Sequence, residues 1–278
     1  MKVGYTMAFH HSVAIRPNGK KVLKRNLENF YNNCKYNFET FIIDNESVPR
    51  NIFDDIIELE PNKYKNLKHT YIENQNEKGI TGAWDLGVRQ AVGADCDIII
   101  LTTDDTVCDK TINNLIEFIY NDKEFNHITL YAPAVNGPTV PPIQRREKSE
   151  NNIWLVDNPS EANSNYLSGN MYAFTKEFYY NFNENNVLFK IDHQFNGGDG
   201  KWAGQEGLQF EWASRGARIM VVGSCLIQHS DDIENGTRLS YRTARYIDNG
   251  EIDKVIAHFK SQGDHNRCTA LEKIKGNQ

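Results

Sequence analysis

The first part of the chain alternates between short apolar runs and stretches in which apolar residues recur at helical spacing. This alternation predicts four strands, Val3–Phe9, Phe41–Ile43, His69–Ile72 and Asp97–Leu101, and helices through Val22–Tyr31, Ile80–Ala91 and Ile112–Ile119. Strands separated by helices form βαβ units, whose crossovers place helices on both faces of a mainly parallel sheet. We therefore predict an α/β fold with a mixed, mainly parallel sheet.

Two of the predicted strands run directly into acidic and polar residues. The second strand ends at Asp44-Asn45, and the fourth is followed by Asp104-Asp105. Ligands of such sheets bind beyond the carboxyl ends of the strands. If the second and fourth strands are near neighbours, these carboxylates lie side by side at the ligand edge. His10 and His11 follow the first strand at the same edge.

The rest of the chain is less regular. Proline-containing loops and a hairpin around Ile153–Val156 are predicted between Asn136 and Leu167. Beyond them we predict the strand Asn170–Phe174, a helix through Leu208–Ala213, the short strands Arg218–Val222 and Cys225–Gln228, and helices from Thr237 onward. No repeat or linker divides the chain, so we predict one domain over residues 1–232 and a C-terminal helical extension over 233–278.

Composition excludes several classes of protein. A net charge of −6 and a pI near 5.8 argue against a nucleic-acid-coating protein or a binder of anionic membranes. The sequence contains no run of about 18 apolar residues, the length that a transmembrane helix needs. The first residues do not resemble a secretory signal. Five scattered cysteines without a C-x-x-C pair favour reduced thiols in a cytoplasmic protein.

Single residues at these strand ends also have ordinary structural interpretations. Asp104-Asp105 could cap a helix beginning near Asp109–Thr111, because Asx side chains bond the free N–H groups of a helix start. His229, at the end of the last predicted strand, could be an ordinary surface histidine. Dinucleotide and P-loop phosphate motifs are absent from the sequence.

Taken together, five segments resemble the GT-A fold of family 2 glycosyltransferases, a Rossmann-like fold. They are Phe41–Ser47, Asn76–Gly87, Ile98–Thr106, Leu167–Lys176, and Gln205-Glu206 followed by Arg215-Gly216 and His229. In this order they resemble five motifs of the family: the strand end whose Asp binds the base, the loop and helix beside the nucleotide, the D-x-D region, the strand that borders the acceptor, and the final run of acidic, Arg, Gly and His residues. The chain departs from the family motifs at two residues, with Thr103 at the first D-x-D carboxylate and Gln205 in the acidic pair, and its segment between Glu206 and Gly216 is slightly short.

The resemblance implies a nucleotide-sugar donor, with UDP among the candidate nucleotides, and Asp44 reading the base. The implied donor-binding residues are Ala8, Phe9, Asp44, Asn45, Gly79, Ala83, Asp104 and Asp105. Asp105 and His229 would hold Mn²⁺ or Mg²⁺, which neutralises the leaving diphosphate; an imidazole ligand favours Mn²⁺. Gly169 would border the acceptor.

Transfer to a hydroxyl also requires a general base, and Glu206 is our candidate. Trp202 could stack on an acceptor sugar. Asp192 could position a hydroxyl, although a turn role is equally compatible.

We therefore expect an inverting, metal-dependent glycosyltransferase acting on a glycan or lipid-linked acceptor. One alternative is a non-catalytic nucleotide- or glycan-binding scaffold, which the two departures from the family motif favour. The other is a sugar-phosphate nucleotidyltransferase, although the early Gly-rich nucleotide loop that it needs is missing after Phe9.

Overall fold

The structure is a computed structural model, and the strands and helices below come from the part of the chain that it describes. That part comprises residues 1–11, 19–45, 47, 62–72, 79–136, 141–145, 153–157, 159, 166–189, 205–229, 250–261, 263 and 265–276. The side chains of residues 79, 80, 205–207, 266, 267, 270 and 274 are not described.

The first half of the chain forms the parallel part of the sheet. In chain order its elements are β1 (Lys2–Phe9), α1 (Gly19–Asn33), β2 (Asn37–Asn45), β3 (Leu67–Ile72), α2 (Gly79–Gly93) and β4 (Ile98–Thr103). Strands β3, β2, β1 and β4 lie in that spatial order, and each neighbouring pair is parallel. The predicted strands and helices of this half are confirmed.

The second half extends the same sheet with strands of both directions. Its elements are β5 (Thr106–Cys108), α3 (Ile112–Asn121), β6 (Thr129–Asn136), β7 (Ile153–Leu155), β8 (Met171–Thr175), α4 (Lys176–Phe182), α5 (Gln205–Ser214) and β9 (Arg218–His229). The order continues from β4 through β8, β6 and β9 to β5, and β7 also pairs with β9.

Strand directions follow from these pairings. Strand β8 runs antiparallel to both β4 and β6, β6 is parallel to β9, and β5 and β7 run antiparallel to β9. Six of the nine described strands therefore share one direction, which confirms the mixed, mainly parallel sheet.

Three of our sequence predictions in this half are wrong. The apolar run Thr129–Asn136 forms strand β6 in the middle of the sheet, although no strand was predicted there. The two short strands predicted after Ala217 are one strand, β9, whose pairing with β6 shifts between Val222 and Leu226. Around Ile153 the chain forms the single strand β7 on β9 rather than a local hairpin.

Alternating side chains of β1 reach two apolar layers, one on each face of the sheet. Val3, Tyr5, Met7 and Phe9 pack in the layer that contains α1 and α3. Ala8 packs in the other layer, which holds α2, α4 and α5 and the buried rings of Trp84 and Trp212. Helices thus cover both faces, as the βαβ pattern predicts.

Two helices, α6 (Ile252–Ser261) and α7 (His265–Gly276), lie at the end of the chain. They pack against each other around a cluster of their own, made of Ile252, Val255, Ile256, Phe259, Cys268 and Leu271. The predicted helices of this region are confirmed over these ranges. The division at residue 232 remains a prediction, and residues 230–249 lie outside the described part.

Candidate functional site

Three parallel strands bring the predicted donor-binding residues to one edge of the sheet. Phe9 pairs with Asp44 on one side of β1, and Ala8 pairs with Thr103 on the other. Asp44 and the Asp104-Asp105 turn therefore flank β1 at its carboxyl end, about 10 Å apart by two strand spacings. The two acidic segments share the ligand edge, with Ala8 and Phe9 between them.

The Asp44 side of this edge is tied together by hydrogen bonds. Asp44 Oδ1 accepts the N–H of Ser47 at 2.9 Å, and Oδ2 lies 3.6 Å from His69 Nε2. His10 Nδ1 lies 2.9 Å from the carbonyl oxygen of Asn45, and because a carbonyl can only accept, this ring nitrogen carries the proton. The N–H of His11 donates to Ser47 Oγ at 2.8 Å. The fully buried Asp44 carboxylate is thus held in a defined orientation.

The Asp105 side is built by a pairing between residues far apart in the chain. Strand β5 pairs with β9 so that Thr106 lies opposite His229. His229 Nε2 then lies 3.2 Å from Asp105 Oδ2. Thr103 Oγ1 donates to the other oxygen, Oδ1, at 2.5 Å. The structure therefore brings the two predicted metal ligands into contact.

The helix-cap alternative for Asp104-Asp105 is wrong. Strand β5 separates this pair from α3, which begins at Ile112. The aspartate that bonds at the start of this helix is Asp109, whose Oδ1 accepts from the N–H and the hydroxyl of Thr111.

The segment that carries Gly169 borders the same turn. The carbonyl oxygen of Asn170 accepts Thr102 Oγ1 at 3.0 Å, Thr106 Oγ1 at 3.2 Å and the N–H of Thr103 at 3.3 Å. The buried Gly169 is therefore adjacent to the residues that precede and follow Asp104-Asp105.

Two buried glutamines also bond this segment. Gln209 of α5 accepts the N–H of Leu167 and donates to its carbonyl oxygen, both at 2.8 Å. Gln144 accepts the N–H of Ser168 at 2.5 Å. Glu206 lies in the first turn of α5, three residues before Gln209, so the helix of the candidate base is joined to the Gly169 segment.

The remaining predicted site residues belong to α2 or lie outside the described part. Gly79 is the first residue of α2, and Ala83 is buried in the core on the face of the sheet that α2 covers. Trp84 Nε1 donates to the carbonyl oxygen of Thr102 at 3.1 Å, so this tryptophan belongs to the core. Asp192 and Trp202 lie outside the described residues, as does the side chain of Glu206.

Asn26 of α1 is a site residue that our sequence analysis missed. It is fully buried and bonds the backbone of the Asp104-Asp105 turn. One signal was available in the sequence, because Asn26 interrupts the apolar stripe of Val22, Leu23, Leu27 and Phe30. A polar side chain on a buried stripe needs hydrogen-bond partners.

The side chains of Asp105 and His229 are suitable ligands for a divalent cation that is held partly by the protein and partly by the phosphate oxygens of a bound substrate. Among the described side chains, no group of three or more His, Cys, Asp or Glu is arranged to hold a metal ion. Ions of this kind are commonly held by one or two protein ligands together with phosphate oxygens and water. The two side chains offer adjoining oxygen and nitrogen atoms and are 28% and 15% exposed, respectively, so solvent and substrate can reach them.

The mainly parallel sheet and the acidic strand ends agree with the predicted resemblance to glycosyltransferases. The glycosyl transferase family 2 model matches residues 17–193, more than half of the chain, and the chain belongs to this family. No curated protein matches the chain by sequence.

Solved structures with the same fold are distant in sequence. GalNAc-T7, crystallised with UDP, GalNAc and Mn²⁺, superimposes with a TM-score of 0.58 at 15% identity, over 91% of this chain and 48% of that one. S. aureus TarS 1-349 gives 0.55 at 15% identity, over 100% and 92%. The mannosyltransferase PcManGT from Pyrobaculum calidifontis, in complex with GDP-Man and Mn²⁺, gives 0.51 at 13%, over 98% and 69%.

These structures establish the GT-A fold for this chain. The chain spans about half the length of the GalNAc-T7 chain. In the part of the chain that the structure describes, no helix has the length and apolar character needed to cross a membrane.

Proposed function

We propose that this protein is a metal-dependent, inverting glycosyltransferase that moves a sugar from a nucleoside-diphosphate donor to a hydroxyl of a glycan or lipid-linked acceptor. The observation that carries the proposal is the contact between Asp105 Oδ2 and His229 Nε2, 3.2 Å apart at the ligand edge of the sheet. Membership of glycosyl transferase family 2 supports the reaction class. GalNAc-T7 and PcManGT, two proteins with this fold, were crystallised with Mn²⁺ and a nucleotide or nucleotide sugar.

Each end of the site has its own task. Asp44 accepts hydrogen bonds from the base of the nucleotide, and the N–H of Ser47 orients its carboxylate by donating to Oδ1. Asp105 and His229 would hold Mn²⁺ or Mg²⁺, which when bound neutralises the charge that develops on the leaving diphosphate. Gly79 and Ala83 place the start of α2 beside the donor.

Glu206 accepts the proton of the acceptor hydroxyl in the transfer step. The hydroxyl oxygen forms a bond to the anomeric carbon as the bond from that carbon to the diphosphate oxygen breaks, so the configuration inverts. The nucleoside diphosphate leaves with the bonding electron pair. A carboxylate is needed because an alcohol is too weak an acid to lose its proton unassisted. Gly169 borders the acceptor, Trp202 stacks on its ring, and Asp192 binds one of its hydroxyls.

Nucleotide binding tests the donor half of the proposal. Calorimetric titration of UDP, GDP and dTDP, each with and without Mn²⁺, should reveal one nucleotide whose binding is strengthened by the metal. Asp105→Asn should abolish this metal-dependent part. The control variant Asp109→Asn, four residues further along and bonded to Thr111, should keep it. Metal-independent binding of every nucleotide would contradict the assigned role of Asp105.

Transfer assays test the acceptor half. Glu206→Gln should lower the transfer rate by about 10²- to 10⁴-fold, the usual contribution of a general base, and leave donor binding unchanged. Glu211→Gln, on the same helix, removes a carboxylate paired with Arg215 and should keep the rate. Full transfer by Glu206→Gln would exclude this residue as the base. Donor binding without transfer or donor hydrolysis by the wild type would favour the non-catalytic scaffold.

A further inference from the structure

A buried amide on α1 holds the backbone of the turn that carries Asp104 and Asp105. The Nδ2 group of Asn26 lies 3.2 Å from the carbonyl oxygen of Thr103 and 3.3 Å from that of Asp104, and it also donates to the carbonyl oxygen of Thr106. Three carbonyl groups of one turn therefore converge on a single side-chain nitrogen.

The orientation of this amide is itself determined. Tyr5 donates its hydroxyl hydrogen to Asn26 Oδ1 at 2.6 Å, so the oxygen faces Tyr5 and the nitrogen faces the turn. The Tyr5 ring is fully buried and stacks on Phe30, with ring centroids 3.7 Å apart. A flipped amide would place its oxygen against the carbonyl oxygens of Thr103 and Asp104 and lose those bonds.

The chemistry of asparagine suits this position. The turn offers carbonyl oxygens that need donors, and it also carries two acidic side chains. A cationic donor in place of Asn26 would compete for the Asp104 and Asp105 carboxylates, whereas a neutral amide bonds the carbonyl groups alone. A buried polar side chain on an apolar helix stripe is costly unless its bonds are made, and here both ends of the amide are used.

The turn is also held by Asn170, the residue that precedes β8. Its carbonyl oxygen accepts the N–H of Thr103 and the hydroxyl of Thr106. The turn is thus held by Asn26 of α1 through its carbonyl oxygens and by Asn170 through the N–H of Thr103 and the hydroxyl of Thr106. The Asp105 side chain is oriented in turn by Thr103, whose hydroxyl donates to Oδ1.

We propose that Asn26 is a positioning residue that preorganises Asp105 beside His229 for cation binding, with Tyr5 orienting its amide. The inference rests on the proposed function, because it assigns Asn26 to the metal site of the same reaction. Residues that orient ligands contribute to metal affinity because the ordering of the ligand is completed before the ion binds.

The test is the affinity for Mn²⁺ in the presence of saturating UDP, measured by the paramagnetic resonance signal of the free ion. Asn26→Leu removes the amide at similar volume and should weaken Mn²⁺ binding by about 10- to 100-fold, as is usual for residues that orient metal ligands. Tyr5→Phe keeps the amide but removes the bond from the Tyr5 hydroxyl, so we expect a loss of Mn²⁺ affinity that is smaller than in Asn26→Leu.

The control variant is Asn113→Leu. Asn113 is also a buried helical asparagine, and its Nδ2 donates to the carbonyl oxygens of Asn33 and Lys110, both at 2.8 Å. Its Oδ1 accepts the N–H of Lys35 at 3.0 Å. Because it does not bond the turn, its loss should lower the free energy of unfolding and leave the affinity for Mn²⁺ within about twofold of the wild-type value, in contrast to a ligand-orienting residue.

Wild-type affinity in Asn26→Leu, or an equal loss in Asn113→Leu, would overturn the inference. If Asn26→Leu does not fold, Tyr5→Phe decides, and wild-type affinity in that variant would overturn the inference as well. Failure of the wild-type protein to bind Mn²⁺ with any of UDP, GDP or dTDP would instead reject the proposed function on which the inference depends. If another of these nucleotides binds, it replaces UDP in the series.

Discussion

Asp85 is a buried carboxylate that links α2 to a segment far along the chain. Its Oδ1 accepts the N–H groups of Leu188 at 2.7 Å and Phe189 at 3.2 Å, and its Oδ2 accepts from Arg89 Nε at 3.0 Å. Burial raises the pKa of Asp85 above its ordinary value of 3.8, although the two backbone bonds and Arg89 act in the opposite direction. This carboxyl therefore holds its proton more tightly in the folded than in the unfolded protein.

Asp85→Asn should change how stability depends on pH. Between pH 3.8 and the raised pKa, the folded wild type binds more protons at Asp85 than the unfolded chain does, so its free energy of unfolding falls as pH rises. The variant lacks this contribution. We expect urea unfolding between about pH 4 and pH 7 to show that the free energy of unfolding of Asp85→Asn rises relative to that of the wild type as pH rises. Above the raised pKa the difference between the two proteins should become constant. A difference that moves in favour of the wild type would contradict the raised pKa.

At the scale of elements, α2 packs unusually closely on the first strands. A Cβ atom at Gly87 would lie 2.1 Å from Thr6 Cγ2 and 3.2 Å from Ile43 Cγ1. Gly87 therefore permits a backbone approach that no other residue allows.

Gly87→Ala should destabilise the protein by about 1–3 kcal/mol, the usual cost of overpacking, even though alanine favours a helix. Thr6→Ser removes the clashing methyl group and keeps the hydroxyl. The double variant should therefore lose less stability than the two single effects added together. Strict additivity in urea unfolding would show that the clash is not with Thr6.

At the scale of the whole molecule, the C-terminal helices have an apolar cluster separate from the two layers of the sheet. Cys268 belongs to this cluster, whereas Cys108 and Cys225 lie in the sheet core on the side of α1 and α3. Burial raises the pKa of the Cys225 thiol, and it raises that of Cys108 to about 12. Core thiols of this kind react with alkylating reagents only after the protein opens.

Alkylation of the thiols tests whether the C-terminal helices unfold separately. In pulses of iodoacetamide at increasing urea, Cys268 should be labelled before Cys108 and Cys225, because a small cluster opens at lower cost than the sheet core. Mass spectrometry of the peptides measures the extent of labelling at each cysteine. Labelling of all three at the same urea concentration would show one cooperative unit and contradict the predicted division at residue 232.

Predictability along the chain follows the strength of local signals. The strands of the first half were predictable because they are short apolar runs that end at polar residues, and the helices because their apolar residues recur with a period of 3.6. Strand β6 was not predictable in this way, because it contains Pro133, and proline is unusual in a central strand. Strand β5 has only three residues, too few for a period. In β9, the residues between Val222 and Leu226 interrupt the apolar pattern and predict two strands. Pairing with β6 on both sides of these residues makes them part of one strand.

The sequence by itself determined the α/β class, the strand ends that carry Asp44 and Asp104-Asp105, and the family resemblance. These properties depend on residues close together in the chain. The tertiary structure alone decided that Asp105 contacts His229, 124 positions away, and that Asn26 of α1 bonds the backbone of the Asp104-Asp105 turn. Such contacts depend on strand register and on the packing of helices against the sheet, which arise from the whole core and leave no local pattern.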